Sequence, residues 1–94
     1  MIHMKIKAHI IVQGRVQGVG FRHFSYRHAL KFKLTGYVRN LPNAQVESIV
    51  EGNKNRIADY IELLKVGPSF ADVTHIDIRW SQRTGEFSNF EVRF

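Results

Sequence analysis

The chain of 94 residues contains no cysteine. That excludes a disulfide framework, a thiolate metal site and a cysteine nucleophile, and it fits a cytoplasmic location. Long apolar runs are also missing: none approaches the ~18–20 residues a membrane-spanning helix needs. The opening Met1-Ile2-His3-Met4-Lys5 lacks a basic segment followed by an apolar stretch, so no signal peptide is expected. Acidic residues are scarce. Eight Asp and Glu face 14 Lys and Arg, a formal charge of +6. A basic chain favours anionic partners, yet the cations are dispersed, and charge alone is equally a solvated basic surface.

What is present is ordinary for a globular chain: 44% hydrophobic and 23% charged residues. The length predicts one domain, residues 1–94, with a single two-layer core. Lys5–Gln13 alternates, with Ile6, Ala8, Ile10 and Val12 on one side, and reads as a half-buried strand. Phe21, Phe24, the His28/Ala29 level and Phe32 fall at helical spacing, predicting a helix over 21–32. Leu34–Arg39 and Val46–Glu51 read as two strands joined by the turn Leu41-Pro42-Asn43-Ala44. Glu47 and Glu51 are expected to face solvent, and Phe24, Tyr37 and Trp80 to be core or pocket wall.

Asn53 is a candidate N-cap for a second helix, whose stripe is Ile57, Tyr60, Ile61 and Leu64. Gly67-Pro68 stops it. Thr74, Ile76, Ile78 and Trp80 alternate as a fourth strand, Ser81–Glu86 is a polar connection, and Phe90, Val92 and Phe94 alternate as a last strand. The order β-α-β-β-α-β plus a short final strand predicts an α+β, ferredoxin-like two-layer sandwich. Its sheet should be antiparallel-dominated, with both helices on one face. The pattern leaves the pairing of the last strand open.

Between the first strand and the first helix lies "GRVQGVGFR", Gly14 to Arg22. A loop entering a helix N-terminus is placed to bind an anion, because the first N–H groups lack partners and the dipole is positive there. Glycines let successive N–H groups converge. Arg22 sits on the wrong end of that dipole, at a cost of a few tenths to ~1 kcal/mol, but could grip a phosphate with two parallel bonds. Glycine-rich connections also arise for plain geometric reasons, and both readings stay open on composition. The Walker and dinucleotide patterns do not match. Asn40, before Leu41-Pro42, reads as a common turn former. His23 and His28 are five apart, which does not suit a paired helical metal site.

"GRVQGVGFR" resembles the signature loop of acylphosphatases, Gly-x-Val-Gln-Gly-Val-x-Phe-Arg. "GYVRN", Gly36 to Asn40, resembles that family's Gly-aromatic-Val-basic-Asn segment. "VGPSFADV" (Val66 to Val73) and "FEVRF" (Phe90 to Phe94) add weaker matches. The resemblance implies a ferredoxin-like fold and hydrolysis of acyl phosphates to a carboxylate and inorganic phosphate, without metal or cofactor. It implies a backbone phosphate cradle of Arg15, Val16, Gln17, Gly18, Val19, Gly20 and Phe21. It makes Arg22 the residue that grips the phosphoryl oxygens and Asn40 the one that orients the attacking water.

The partners so implied are a small acyl phosphate and inorganic phosphate, the latter as product and competitive inhibitor. A cytoplasmic monomer with no membrane or nucleic-acid partner is expected. One departure is Asn43-Ala44, where the family often has Asp-Gly; alanine resists positive φ, so the hairpin is expected to differ. A rival is an RNA-binding module of the same element order, but that needs aromatics on the first and third strands, which have none. Another is a regulatory domain that keeps the loop, as in larger hydrogenase-maturation carbamoyltransferases. The chain ends where that domain would end, so a free-standing enzyme is expected.

Overall fold

The computed structural model describes residues 4–94. Residues 1–3, part of the stretch in which no signal region is expected, lie outside it. The elements run β1 (Lys5–Arg15), α1 (Phe21–Lys31), β2 (Thr35–Asn40), β3 (Val46–Asn53), α2 (Lys54–Val66), β4 (Asp72–Gln82) and β5 (Phe90–Arg93). They form one five-stranded sheet in the order β4-β1-β3-β2-β5. The ferredoxin-like sandwich is as expected. The last strand, whose partner the pattern left open, pairs parallel to β2, with Gly36 opposite Phe90 and Val38 opposite Val92. The other neighbours are antiparallel. No described helix is long and apolar enough to cross a membrane.

The core follows from the alternation. Ala8, Ile10 and Val12 of β1 and Val46, Ser48 and Val50 of β3 share the buried face. Against it α2 lays Ile57, Tyr60, Ile61 and Leu64. Each such side chain contributes about 1.5–3 kcal/mol on burial. The Tyr60 hydroxyl lies 2.9 Å from Ser48 Oγ, which itself donates to the Tyr37 carbonyl; burial pushes the phenol up to about 12. On α1 the buried stripe is Phe21, Ser25 and Ala29. Phe24 and Phe32 pack at its rim. Asn53 caps α2 as expected, its side chain accepting from the N–H groups of Asn55 and Arg56 at 2.9 and 3.4 Å.

Four expectations need correction. First, Gly14 and Arg15 are not loop: they continue β1, opposite Val73 and Asp72 after a register shift. A Cβ at Gly14 would strike the Asp72 carbonyl oxygen, so only glycine allows this approach. Secondly, Glu47 and Glu51 lie on the face away from the helices but are buried. Glu47 accepts from His9 Nε2 (2.7 Å), Arg39 Nε (2.6 Å) and the Tyr37 hydroxyl (3.2 Å). Burial alone would raise its carboxyl, but the bonds from His9 and Arg39 outweigh that and hold it below the ordinary value. Glu51 accepts from the Thr84 N–H and hydroxyl and from the Gly85 N–H, which ties the β4–β5 connection to the sheet.

Thirdly, Tyr37 is buried on the open face rather than in the core, between Phe87 and the Arg93 guanidinium. Trp80 keeps the expected place of a pocket wall: 42% exposed, it lines a hollow at the sheet edge. Fourthly, Ala44 takes the left-handed conformation, φ 69°, despite its Cβ. The bond from Leu41 N–H to the Gln45 carbonyl (2.8 Å) closes the turn around it. Ala44→Gly is therefore expected to raise stability by about 0.5–1 kcal/mol. An unmoved or lowered denaturant midpoint would contradict this.

Candidate active site

Loop 16–20 joins the end of β1 to α1. Val16 and Phe21, both buried, anchor its two ends in the core. Between them Gly18 and Gly20 have φ values of 74° and 79°, with open space where a Cβ would stand. This is the left-handed region that glycine reaches without strain, and it lets successive amides converge on one ligand. Gly20 is also the N-cap of α1 and offers no side chain to the helix; the first turn contains no acidic residue. The two helix N-termini thus differ. Asn53 satisfies that of α2, while that of α1 has no side-chain acceptor.

The loop is tied down from outside. Gln17 Nε2 donates to the carbonyls of Leu41 and Gln45, both at 2.8 Å. These belong to the turn that follows Asn40, so one amide locks the cradle to the β2–β3 hairpin. Two part-buried bonds at about 0.5–1.5 kcal/mol each predict that Gln17→Ala lowers stability by about 1–3 kcal/mol. A denaturant midpoint unchanged in the variant would show that the tether carries no load.

A cavity of about 290 Å³ opens at this point, the size of a pocket for a small ligand. Its walls come from four segments. The loop supplies Val16, Gly18 and Gly20; α1 supplies Phe21, Arg22 and His23; β2 supplies Asn40; the C-terminal strand region supplies Val92 and Phe94. Among the described residues, no Asp or Glu lines it. Asn40 is the last residue of β2 and stands opposite Val46, whose side chain is fully buried, so Asn40 points to the helix side. Among the described residues its side-chain amide makes no hydrogen bond.

Arg22 Nη1 donates to the Arg93 carbonyl at 3.3 Å, and its guanidinium lies over the Phe94 ring at 4.5 Å. These contacts use one Nη1 N–H and the π surface of the guanidinium, and they leave other N–H groups for a ligand. The site can therefore offer an anion a cation and a helix N-terminus, with a neutral donor–acceptor alongside.

Of the residues expected here, Val16, Gly18, Gly20, Phe21, Arg22 and Asn40 meet at the cavity. Arg15 is in the β1–β4 ladder, Val19 packs against the core and Gln17 is the tether. Sequence reasoning missed His23, Val92, Phe94 and the Arg93 carbonyl. His23 adjoins Arg22 and was visible; the others were not, because nothing local places β5 beside β2. His28 lies away from the cavity, its imidazole held below the ordinary value by burial and then by Arg27 and Lys31.

The open sheet face offers no stacking platform for bases. Its central strands present Lys7, His9, Ile11, Glu47, Ile49 and Glu51 there, and the neighbouring Tyr37 is 8% exposed. The RNA-binding alternative has no support.

Comparison with known proteins agrees with this geometry. The acylphosphatase family model matches residues 8–92. A relative named acylphosphatase from Syntrophotalea carbinolica is 44% identical, covering 95% of this chain and 97% of that one. Another from Caldivirga maquilingensis is 43% identical, covering 95% of each. Among solved structures, acylphosphatase from Bacillus subtilis superposes with a TM-score of 0.92 at 38% identity, over 95% of this chain and 99% of that one. HypF from T. kodakarensis matches with a TM-score of 0.81 at 40% identity, but over only 12% of its own length. Matched by the family model over most of its length, and by relatives more than 40% identical over nearly all of it, the chain belongs to the acylphosphatase family.

Proposed function

We propose that this chain hydrolyses the carboxyl–phosphate anhydride of acyl phosphates to a carboxylate and inorganic phosphate. The observation that carries the reading is the meeting of Arg22 and Asn40, eighteen residues apart, in one small cavity at the uncapped N-terminus of α1. Loop amides from Val16 to Phe21 and the Arg22 guanidinium hold the phosphoryl group. Charge spreads over its equatorial oxygens during transfer, so fixed donors there lower the barrier. Asn40 both accepts from and donates to a water, which sets it in line with the leaving oxygen.

The water oxygen forms a bond to phosphorus as the bond to the acyl oxygen breaks. The carboxylate departs with that electron pair, and the water proton passes to a phosphate oxygen of the substrate. Because a carboxylate leaves readily, no protein base is required, in keeping with a cavity that no Asp or Glu lines.

In this reading residues 1–94 act as one cytoplasmic acylphosphatase domain, and inorganic phosphate competes for the cradle. The test is hydrolysis of benzoyl phosphate in the presence of a chelator, with and without added phosphate. Turnover that persists under chelation and is inhibited competitively supports the reading. Absence of turnover, or inhibition that is not competitive, overturns it.

A further inference from the structure

The end of the sheet opposite the cavity carries a second hollow, of about 300 Å³. β2 runs between the two. Thr35 borders the hollow and Asn40 the cavity, about 17 Å apart at ~3.3 Å per residue. Four cations from separate segments stand around the hollow: Lys5 of β1, Lys33 before β2, Arg56 of α2 and Arg83 after β4. All four are exposed, and among the described residues none makes an ion pair. Other surface cations are matched: Lys7 with Glu86, Arg39 with Glu47, Lys65 with Glu62 and Arg93 with Glu91.

The one acid in the wall is Glu51. It is buried, and its oxygens already accept from the Thr84 N–H and hydroxyl and from the Gly85 N–H. Lys33 breaks a local rule as well. It follows α1 in the left-handed conformation, φ 58°, at a place where glycine is usual. The C-terminal end of the helix dipole favours its charge, but glycine would suit its backbone better.

We propose that this hollow binds an anion of linked phosphates. Four like charges around one small concavity repel one another, and an anion between them removes that cost. Two or three linked phosphates carry enough charge to balance four cations and enough oxygens to meet each of them. Asn53 already caps α2, so side chains rather than the helix end supply the attraction. The site uses none of the residues assigned to hydrolysis, and it stands whether or not that assignment holds.

The test is a titration of the full chain with inorganic tripolyphosphate at low ionic strength, followed by amide chemical shifts. Saturable shifts are expected at Lys33, Gly52 and Arg83, separate from any at Gly18, Gly20 and Arg22. Added salt should weaken this binding. Lys33→Gly and Arg83→Ala should each raise its dissociation constant about three- to tenfold and leave benzoyl phosphate turnover unchanged. Because Lys33→Gly relieves the backbone, its unfolding midpoint should not fall, so lost binding there is lost charge and not lost folding. ATP binding at the same amides as tightly as tripolyphosphate supports a free polyphosphate ligand, and tighter binding supports a nucleotide carrying the same phosphates. Shifts confined to the cradle overturn the proposal, as does wild-type affinity in Lys33→Gly. Single-stranded RNA that binds these amides more tightly than tripolyphosphate also overturns it.

Discussion

Arg22→Ala is expected to lower kcat/KM for benzoyl phosphate by about 10²–10⁴ and to weaken binding of inorganic phosphate with it. The size follows from two charge-assisted hydrogen bonds at about 1.5–3 kcal/mol each. Arg22 stands in the first turn of α1, where its own charge opposes the helix dipole. The structure fixes it there with the Arg93 carbonyl and the Phe94 ring. An anion in the cavity would offset that cost. Arg22→Lys should recover only part of the loss, because an ammonium cannot make the paired planar bonds. Isothermal titration with inorganic phosphate is the deciding measurement. Unchanged phosphate affinity in Arg22→Ala would remove the residue from the cradle.

The second large effect falls on turnover alone. Asn40→Ala should lower kcat by about 10²–10³ while phosphate still binds, because one positioned polar group is lost and the cradle is not. The split would separate the two proposed roles: Arg22 acting on binding and transition state together, Asn40 on the water. Asn40 also ends a strand before Leu41-Pro42, where asparagine serves a turn. In that case the substitution would lower the unfolding midpoint and leave kcat near normal.

Much of the fold was legible because local rules agreed with one another. The stripe on α2, the Asn53 cap and the faces of β3 each stand in the structure as the pattern predicts. The failures share a cause. Glu47 and Glu51 looked like solvent-facing acids because a strand pattern shows which face a residue takes, not what covers it. Tyr37, Arg39 and His9 cover one, and the Thr84–Gly85 connection the other. Ala44 at φ 69° is a local preference overruled by the closure of a hairpin.

The candidate site divides the same way. Loop glycines, an arginine in the first helical turn and an asparagine ending a strand are written in order along the chain, and periodicity alone tells where the loop meets the helix. Those properties are local, since backbone conformation and helix termini are decided within a few residues. The meeting of Arg22 with Asn40 required β1, β3 and β2 to lie side by side. The grip of Arg93 and Phe94 on Arg22, 71 residues away along the chain for the hydrogen bond, required β5 to pair parallel to β2. Gln17 became a tether only when the β2–β3 turn came within reach. Contacts of that span depend on which strands are neighbours, and strand order follows from packing the whole core rather than from any segment of it.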